Sequence, residues 1–420
     1  MNNALLKNKN FILLILGNFT SLLGTQALEF SLCLYVLKIT GSAAKFASVL
    51  AISIIPTLIL TPISGVLVDW SDRKKLIVTL DFINFLILGG YYLYFYANNS
   101  LNISSIYLLV IILSIISAMF NPAISTIIPC IIEEEFLISA NGFNNIFRSM
   151  ASFIAPLIAG YLFGMYGISI ILILNSICFL ISSISEVFIN IPKNYIHKEI
   201  TTNQFIKDFK EGFIFLKNKS ILFNIAILAL VINFVYNPIV SIGFNYMGKI
   251  NLSVSDSQLG ILNSISILSI FLAPILCNIL SKKFKLDKIL FLEICCIGIL
   301  FFILSIVNST FYIKLFKSNF IPYINLIIIS SLLSIVSSTG NLALTTIYQK
   351  ETPINLLGRV NCVFNMFGTI AVPLGQIIFG LLFDNFSTSI CLLIAVIILV
   401  LTILLLKNFF QNDLEYNKIS

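Results

Sequence analysis

Apolar residues run along the chain in about twelve long stretches that are separated by short polar intervals. A helix needs about 20 apolar residues to cross the hydrocarbon core of a membrane, and each stretch is close to that length. Strands of a membrane barrel would instead alternate polar and apolar residues. The pattern predicts transmembrane helices at 11–37, 44–68, 76–97, 103–130, 141–166, 168–191, 220–247, 257–281, 289–307, 322–348, 360–383 and 387–406.

The composition agrees with an all-α membrane protein. Hydrophobic residues make up 58% of the chain and charged residues 10%, whereas soluble proteins carry about 25% charged residues. The chain has one His and eight Cys, and no Cys-x-x-Cys pair, so neither a zinc site nor a disulfide framework is indicated. We expect no metal site and no cofactor.

The basic residues predict an orientation. If the amino terminus is cytoplasmic and the helices alternate in direction, 20 of the 25 Lys and Arg residues fall on the cytoplasmic side. The five on the other side are Lys38, Lys45, Lys249, Lys314 and Lys317. This positive-inside bias predicts a multi-pass protein of the plasma membrane with both termini in the cytoplasm. The charges are spread over many loops and form no contiguous patch, so we expect no nucleic-acid partner.

The longest polar interval divides the chain into two similar parts, 1–191 and 220–420. Asparagines recur at a spacing of 220 in the pairs Asn121 and Asn341, Asn141 and Asn361, and Asn145 and Asn365. Two related six-helix halves are typical of secondary transporters. The interval itself, 192–219, alternates charged and aromatic residues. That pattern favours a cytoplasmic amphipathic helix, although a linker with only a connecting role explains it equally.

A short motif lies between the second and third predicted helices. Residues Gly65 to Lys75 read GVLVDWSDRKK, and this sequence resembles the loop signature of the major facilitator superfamily, Gly-x-x-x-Asp-(Arg/Lys)-x-Gly-(Arg/Lys)-(Arg/Lys). Trp70 and Asp72 depart from it, and that form resembles the macrolide-efflux-like, drug-exporting branch. Further segments that fit this branch are Asn18–Gly24, Thr40–Ser42, Pro56, Asp81, Gly358–Arg359 and Pro373–Gly375.

The resemblance implies the fold and two functional elements. The fold is two pseudo-symmetric six-helix halves. The loop is a conformational latch, which implies gating roles for Gly65, Asp69, Asp72, Arg73 and Lys74. In the fifth helix, Ala155, Pro156 and Gly160 resemble the Gly-Pro-x-x-Gly-Gly element of exporters in this superfamily. A proline kink with small residues can seal one face of a cavity against ion leak, but a plain packing site explains the same residues.

Acidic residues inside the predicted helices are scarce, so each is informative. Glu29 lies more than halfway along the first helix. Its carboxyl group could bind and release a proton or contact substrate during transport. It could also attract a cationic substrate, or bond a neighbouring helix in its neutral form. We predict proton coupling or substrate contact for Glu29 and keep the other two roles open.

Four further charged residues lie near the cytoplasmic ends of helices. Asp81 and Glu293 occupy equivalent positions of the two halves, at a spacing of 212, which suggests a shared structural role. Glu186 is expected to reach water. Arg148 needs an acidic or carbonyl partner, and we predict a gating salt bridge with Asp81 or with Asp69.

Polar groups on the first, seventh and eleventh helices are candidates for the substrate cavity. They are Tyr35, Asn233, Tyr236, Asn237, Asn245 and Asn365. A few hydrogen-bonding groups in an apolar cavity suit a large apolar substrate, but most of these residues could as well join one helix to another.

These features predict a secondary active transporter that works by alternating access, and not an enzyme. The chain contains no Gly-x-x-x-x-Gly-Lys-(Ser/Thr) sequence for binding a nucleotide, so an ion gradient remains as the energy source. We expect proton-coupled export of an amphiphilic, drug-like small molecule by a monomer in the lipid bilayer. The alternative is uptake or flipping of a metabolite or lipid-like compound on the same fold.

Overall fold

The computed structural model describes residues 7–190, 202–316, 318–353 and 356–406, apart from the side chains of 61–63, 65–67, 69–70, 134, 138 and 202–208. This part of the chain is helical and contains no β-strand. Its helices are α1 Lys9–Thr40, α2 Ala43–Trp70, α3 Arg73–Asn98, α4 Ile103–Ile131, α5 Leu137–Tyr166, α6 Ile168–Val187, α7 Thr202–Asn218, α8 Ser220–Asn251, α9 Asp256–Ser281, α10 Leu286–Val307, α11 Thr310–Leu315, α12 Phe320–Glu351, α13 Leu357–Asn385 and α14 Thr388–Leu405.

Among these, 12 are long and apolar enough to cross a membrane. The exceptions are α7, in the central interval, and the short α11. The predicted all-α membrane fold is therefore confirmed, with each predicted span inside an observed helix to within a few residues.

The described residues group into two compact units. The first contains α1 as far as Ile39, α2 from Ile52, helices α3 to α6, and Ser255–Ser264. The second contains Thr40–Ala51, α7 from Ile206, α8, and the chain from Ile265 onward. The predicted division at 192–219 stays a prediction, and residues 191–201 of that interval lie outside the described part.

Serine hydroxyls join the helices of the first unit. On α6, Ser183 donates to the carbonyl of Val78 at 3.1 Å and Ser176 to that of Phe85 at 2.9 Å. Because the donor side chains are short, α3 and α6 approach closely along their length. An apolar core then fills the space between α1, α3 and α4, with Leu14 and Ile77 fully buried.

The central helix α7 packs on α13 in the second unit. Glu211 and Arg359 form an ion pair of 2.6 Å, and the rings of Phe213 and Phe367 stack with centroids 6.1 Å apart. Gly212 lies so close to Arg359 that a Cβ there would come within 2.6 Å of its carbonyl oxygen. The described part of this interval is thus a helix held against a transmembrane helix. Its predicted place on the membrane surface stays a prediction.

Asp384, at the end of α13, caps the first turn of α2 within the second unit. Its carboxylate accepts hydrogen bonds from the Ser42 hydroxyl at 2.5 Å, the Ala43 amide at 2.6 Å and the Ala44 amide at 3.1 Å. The first amides of a helix have no partner within the helix itself, so this carboxylate supplies a cap that the sequence alone did not reveal.

We predict that Asp384→Ala lowers the free energy of unfolding of the purified protein by about 0.5–2 kcal/mol, the usual cost of a lost cap. Asp384→Asn is the intermediate control, because its amide oxygen replaces only one of the two accepting oxygens, and its loss should be smaller than that of the alanine variant. Thermal unfolding of the three proteins measures the effect. If the alanine variant unfolds at the wild-type temperature, the cap does not stabilise α2.

Candidate functional site

Glu29 projects from the middle of α1 in the first unit and is exposed. The Ser53 hydroxyl of α2 donates to its Oε1 at 3.5 Å, and among the described residues Glu29 forms no ion pair. A carboxyl group at this depth is costly against lipid and almost always faces a water-filled cavity. The geometry therefore leaves its carboxyl accessible to a proton or a ligand.

The second unit contains a pocket of about 280 Å³ between α8, α12 and α13. Its polar lining is uncharged and consists of Asn233, Asn341, Thr345, Tyr348, Asn361, Asn365 and Thr369. The remainder of the lining is Ala, Leu, Phe, Gly and Val. Such a pocket can hold an apolar molecule and orient it by a few hydrogen bonds.

Two of the six predicted cavity residues line this pocket. The Asn365 amide donates to Asn361 Oδ1 at 3.0 Å, and the Asn233 amide donates to the carbonyl of Ala229 at 2.9 Å. Each amide therefore keeps hydrogen-bonding capacity for a ligand.

The Tyr35 and Asn245 side chains have structural roles. The Tyr35 hydroxyl accepts from the Leu101 amide at 3.0 Å and so fixes the turn before α4 to α1. Asn245 is buried, and its amide donates to the carbonyl of Ser241 at 2.8 Å, one turn earlier in its own helix.

The remaining two candidates join helices of the second unit. The Gln376 amide of α13 donates to Asn237 Oδ1 at 3.2 Å. The Tyr236 hydroxyl lies beside Ser334 and Ser337 of α12 and within electrostatic reach of Glu293. Sequence position alone could not separate these roles, because each residue is polar and lies on a transmembrane helix.

The loop between α2 and α3 is organised by helix capping. Asp72 is the N-cap of α3, and its side chain accepts from the Lys75 amide at 3.2 Å. A carboxylate at this position also interacts favourably with the positive end of the helix dipole. Asp72 thus has a local structural role, and Lys74 beside it is half-buried.

Arg73 is 7% exposed, and its guanidinium lies 3.6 Å from the Cys130 sulfur of α4. This basic residue is therefore turned into the first unit instead of toward water. The side chains of Gly65 and Asp69 lie outside the described residues, so their gating roles stay predictions.

The predicted salt bridge between Arg148 and Asp81 is not formed in this structure. Both residues line one cavity of the first unit, but neither carboxylate oxygen of Asp81 has a hydrogen-bonding partner among the described residues. The side chain of the alternative partner, Asp69, lies outside the described residues, so that pairing stays a prediction. Glu186 was also misplaced, because it is completely buried and does not reach water. Its nearness to the end of its helix suggested solvent, but neighbouring residues cover the side chain completely.

The small residues of α5 have a specific partner. Ala155 is completely buried, and the backbone of Gly160 lies against Asp256 and Gly260 at the start of α9. A Cβ on Gly160 would come within 2.5 Å of the Asp256 carbonyl oxygen. A Cβ on Gly260 would in turn overlap the carbonyl of Pro156. The element is therefore a backbone-to-backbone contact that only glycines allow.

The sequence comparisons name a family and its relatives. The Major Facilitator Superfamily profile matches residues 14–375 of this chain. Macrolide efflux protein A of Streptococcus pyogenes is 23% identical over 382 residues, which are 89% of this chain and 89% of that protein. The uncharacterized MFS-type transporter YkuC of Bacillus subtilis (strain 168) is 24% identical over 402 residues, 91% of this chain and 88% of that protein.

Solved structures share the fold. The nucleoside transporter NupG superposes with a TM-score of 0.75 at 14% sequence identity, over 98% of this chain and 99% of that one. A bacterial homologue of the iron transporter ferroportin in the inward-facing state gives a TM-score of 0.72 at 16% identity, over 94% and 98%. The family match, together with twelve helices of membrane-spanning length among the described residues, shows that the chain belongs to the Major Facilitator Superfamily and is a multi-pass membrane transporter of small molecules.

Proposed function

We propose that this transporter exports hydrophobic, drug-like compounds by alternating access and that a proton gradient drives the export. The observation that carries the proposal is the uncharged pocket of the second unit, whose amide and hydroxyl groups can orient an amphiphilic molecule by hydrogen bonds. The similarity to macrolide efflux proteins supports an exported substrate.

Proton coupling is supported by Glu29. Its carboxyl is exposed, lies at mid-span and has no cation beside it among the described residues. A group in this setting can take up a proton when it faces one side of the membrane and release it when it faces the other. We also propose that the protein is a monomer in the plasma membrane, with both termini in the cytoplasm.

Export is tested in a bacterial strain that lacks its own exporters. Cells that express the chain should accumulate less of a fluorescent amphiphile than cells with the empty vector, and a protonophore should abolish the difference. Sealed inside-out vesicles then give the direction of transport. Accumulation that rises on expression, or a broad compound panel without any export, would overturn drug efflux in favour of uptake or flipping of a metabolite or lipid-like molecule.

The pocket predicts a further result. Asn365→Ala removes an amide from the pocket wall, so one hydrogen bond to substrate is lost, at a cost of about 0.5–1.5 kcal/mol. We expect KM for the exported compound to rise by roughly twofold to tenfold and the maximal rate to change little. Asn385→Ala is the matched control, since Asn385 lies on the same helix outside the pocket. Equal KM values for both variants would contradict the assignment.

A further inference from the structure

The first unit contains a polar cavity of about 90 Å³ that the proposed function does not use. Asp81 and Asn84 of α3 and Asn175 of α6 line it and are 1%, 5% and 2% exposed. Both oxygens of Asp81, the Oδ1 of Asn84 and both amide atoms of Asn175 lack a hydrogen-bonding partner among the described residues. Burying polar atoms without partners is costly, so this arrangement points to a bound ligand.

A second carboxyl group lies next to Asp81. Glu186 of α6 is completely buried, and its Oε2 also has no partner within the described part of the chain. The two carboxyl groups are close enough to repel each other when both are charged, and Ser182 is a neighbour of both. The Ser182 hydroxyl donates to the Gly17 carbonyl at 2.9 Å and lies 3.5 Å from Glu186 Oε1. It therefore cannot neutralise the pair.

The charges around the cavity do not balance. Arg148 of α5 lines the same cavity and forms no ion pair with a described residue. From α1 and α4, only neutral side chains face the cavity, and the polar ones are Asn18, Ser21, Thr25, Ser117 and Asn121. Two carboxylates against one guanidinium leave one negative charge uncompensated in a buried site, which is unfavourable unless a cation neutralises it.

We propose that Asp81 and Glu186 together bind one monovalent cation, a shared proton or a sodium ion. Asn84 and Asn175 line the cavity with Asp81, and Ser182 lies beside Glu186, so all three supply oxygen atoms that suit either ion. The site lies inside the first unit and is separate from Glu29. The proposed cation site does not depend on which compound is transported, so its test is independent of the test of drug export.

Infrared absorbance of protonated carboxyl groups tests the proposal on the purified full-length protein at neutral pH without sodium. Asp81→Asn and Glu186→Gln should each reduce the band by one carboxyl, because the single remaining carboxylate balances the charge of Arg148 without a proton. The double variant should reduce it by one carboxyl and no more, since only one proton is shared. Glu135→Gln, at an exposed carboxyl of the first unit, is the matched control and should leave the band unchanged.

Arg148→Gln provides the reciprocal measurement. Loss of the guanidinium leaves two carboxylates to be neutralised, so the band should grow by one carboxyl, a gain that a folding defect does not produce. If sodium is the ligand, adding NaCl in place of choline chloride should remove the shared-proton band and raise the unfolding temperature of the wild type but not of Asp81→Asn.

Two results would overturn the site. The double variant could lose twice as much of the band as either single variant, which would mean two independently protonated acids. Alternatively, the infrared band and the unfolding temperature could stay unchanged both in the single variants and on addition of sodium. That result would mean that both acids are ionised and only hydrated.

Discussion

Gly160→Leu is expected to reduce transport by roughly tenfold to a hundredfold. The position lies against backbone atoms, because a Cβ there would be 2.5 Å from the Asp256 carbonyl oxygen and 3.0 Å from the Gly260 Cα. Backbone cannot move aside as the tip of a flexible side chain can, so α5 and the start of α9 must separate. Overpacking of this kind costs about 1–3 kcal/mol, and 1.4 kcal/mol corresponds to about tenfold.

The same helix offers graded controls for this prediction. A Cβ on Gly164 would meet the Asp256 Cβ at 3.5 Å, an ordinary contact, and Gly142 has no atom within 4 Å of such a Cβ. We therefore expect Gly164→Ala to transport nearly as well as the wild type, and Gly142→Leu to do the same. The test is the efflux rate per protein molecule in the membrane, measured for all three variants. Similar rates for Gly160→Leu and Gly142→Leu would contradict the prediction.

Proton leak separates the two interpretations of this element. If the contact seals a cavity, vesicles with Gly160→Leu should dissipate a pH gradient faster than wild-type vesicles in the absence of substrate. If it only holds α5 to α9, the variant should lose transport and thermal stability without any increase in leak.

Glu29→Gln is expected to abolish proton-driven export while the protein still folds and inserts. Gln is nearly isosteric with Glu, and its amide oxygen can still accept the long hydrogen bond from Ser53, but it cannot carry a proton. In inside-out vesicles with an imposed pH gradient, concentrative transport should fall to the level without a gradient. Glu135→Gln, at an exposed carboxyl, should transport as the wild type does.

The outcome for Glu29→Gln also decides between the three roles that its position allows. Loss of transport for cationic compounds alone, with uncharged compounds still driven by the gradient, would assign Glu29 to cation recognition. Unchanged transport and an unchanged pH dependence would reduce Glu29 to a hydrogen-bonding group between α1 and α2, and proton coupling would then have to reside elsewhere.

The sequence predicted the membrane spans because hydropathy is a local property. Twenty consecutive apolar residues require a bilayer wherever they pack, and the structure places a long helix at each of the twelve stretches. The small-residue element at Ala155, Pro156 and Gly160 was likewise found by its resemblance to a short motif, since proline kinks a helix and glycine permits close approach wherever they lie. The loop signature near Asp72 indicated the family because it, too, is a short contiguous stretch of sequence.

Which side chains contact each other was not predictable in this way. Arg148 and Asp81 are of opposite charge and lie near the same membrane face, yet the structure does not pair them, because position along a helix leaves the direction of a side chain undetermined. Glu186 and Ser182 lie far from Asp81 along the chain, so no periodic pattern links them. Three of the four asparagines that line the pocket of the second unit, Asn341, Asn361 and Asn365, stood out as a repeat with a spacing of 220, but repetition did not tell which of them share a surface.

Sequence alone therefore determined that this protein lies in a lipid bilayer, where its twelve apolar stretches form helices, and which family it belongs to. These properties follow from the composition and short-range order of the chain. Tertiary structure alone decided that Gly160 meets Gly260, that Asp384 caps α2 and that two carboxyl groups share the interior of the first unit. Such contacts join residues that are distant in the chain, and their energies depend on distances of a few ångströms that only the packing of the helices sets.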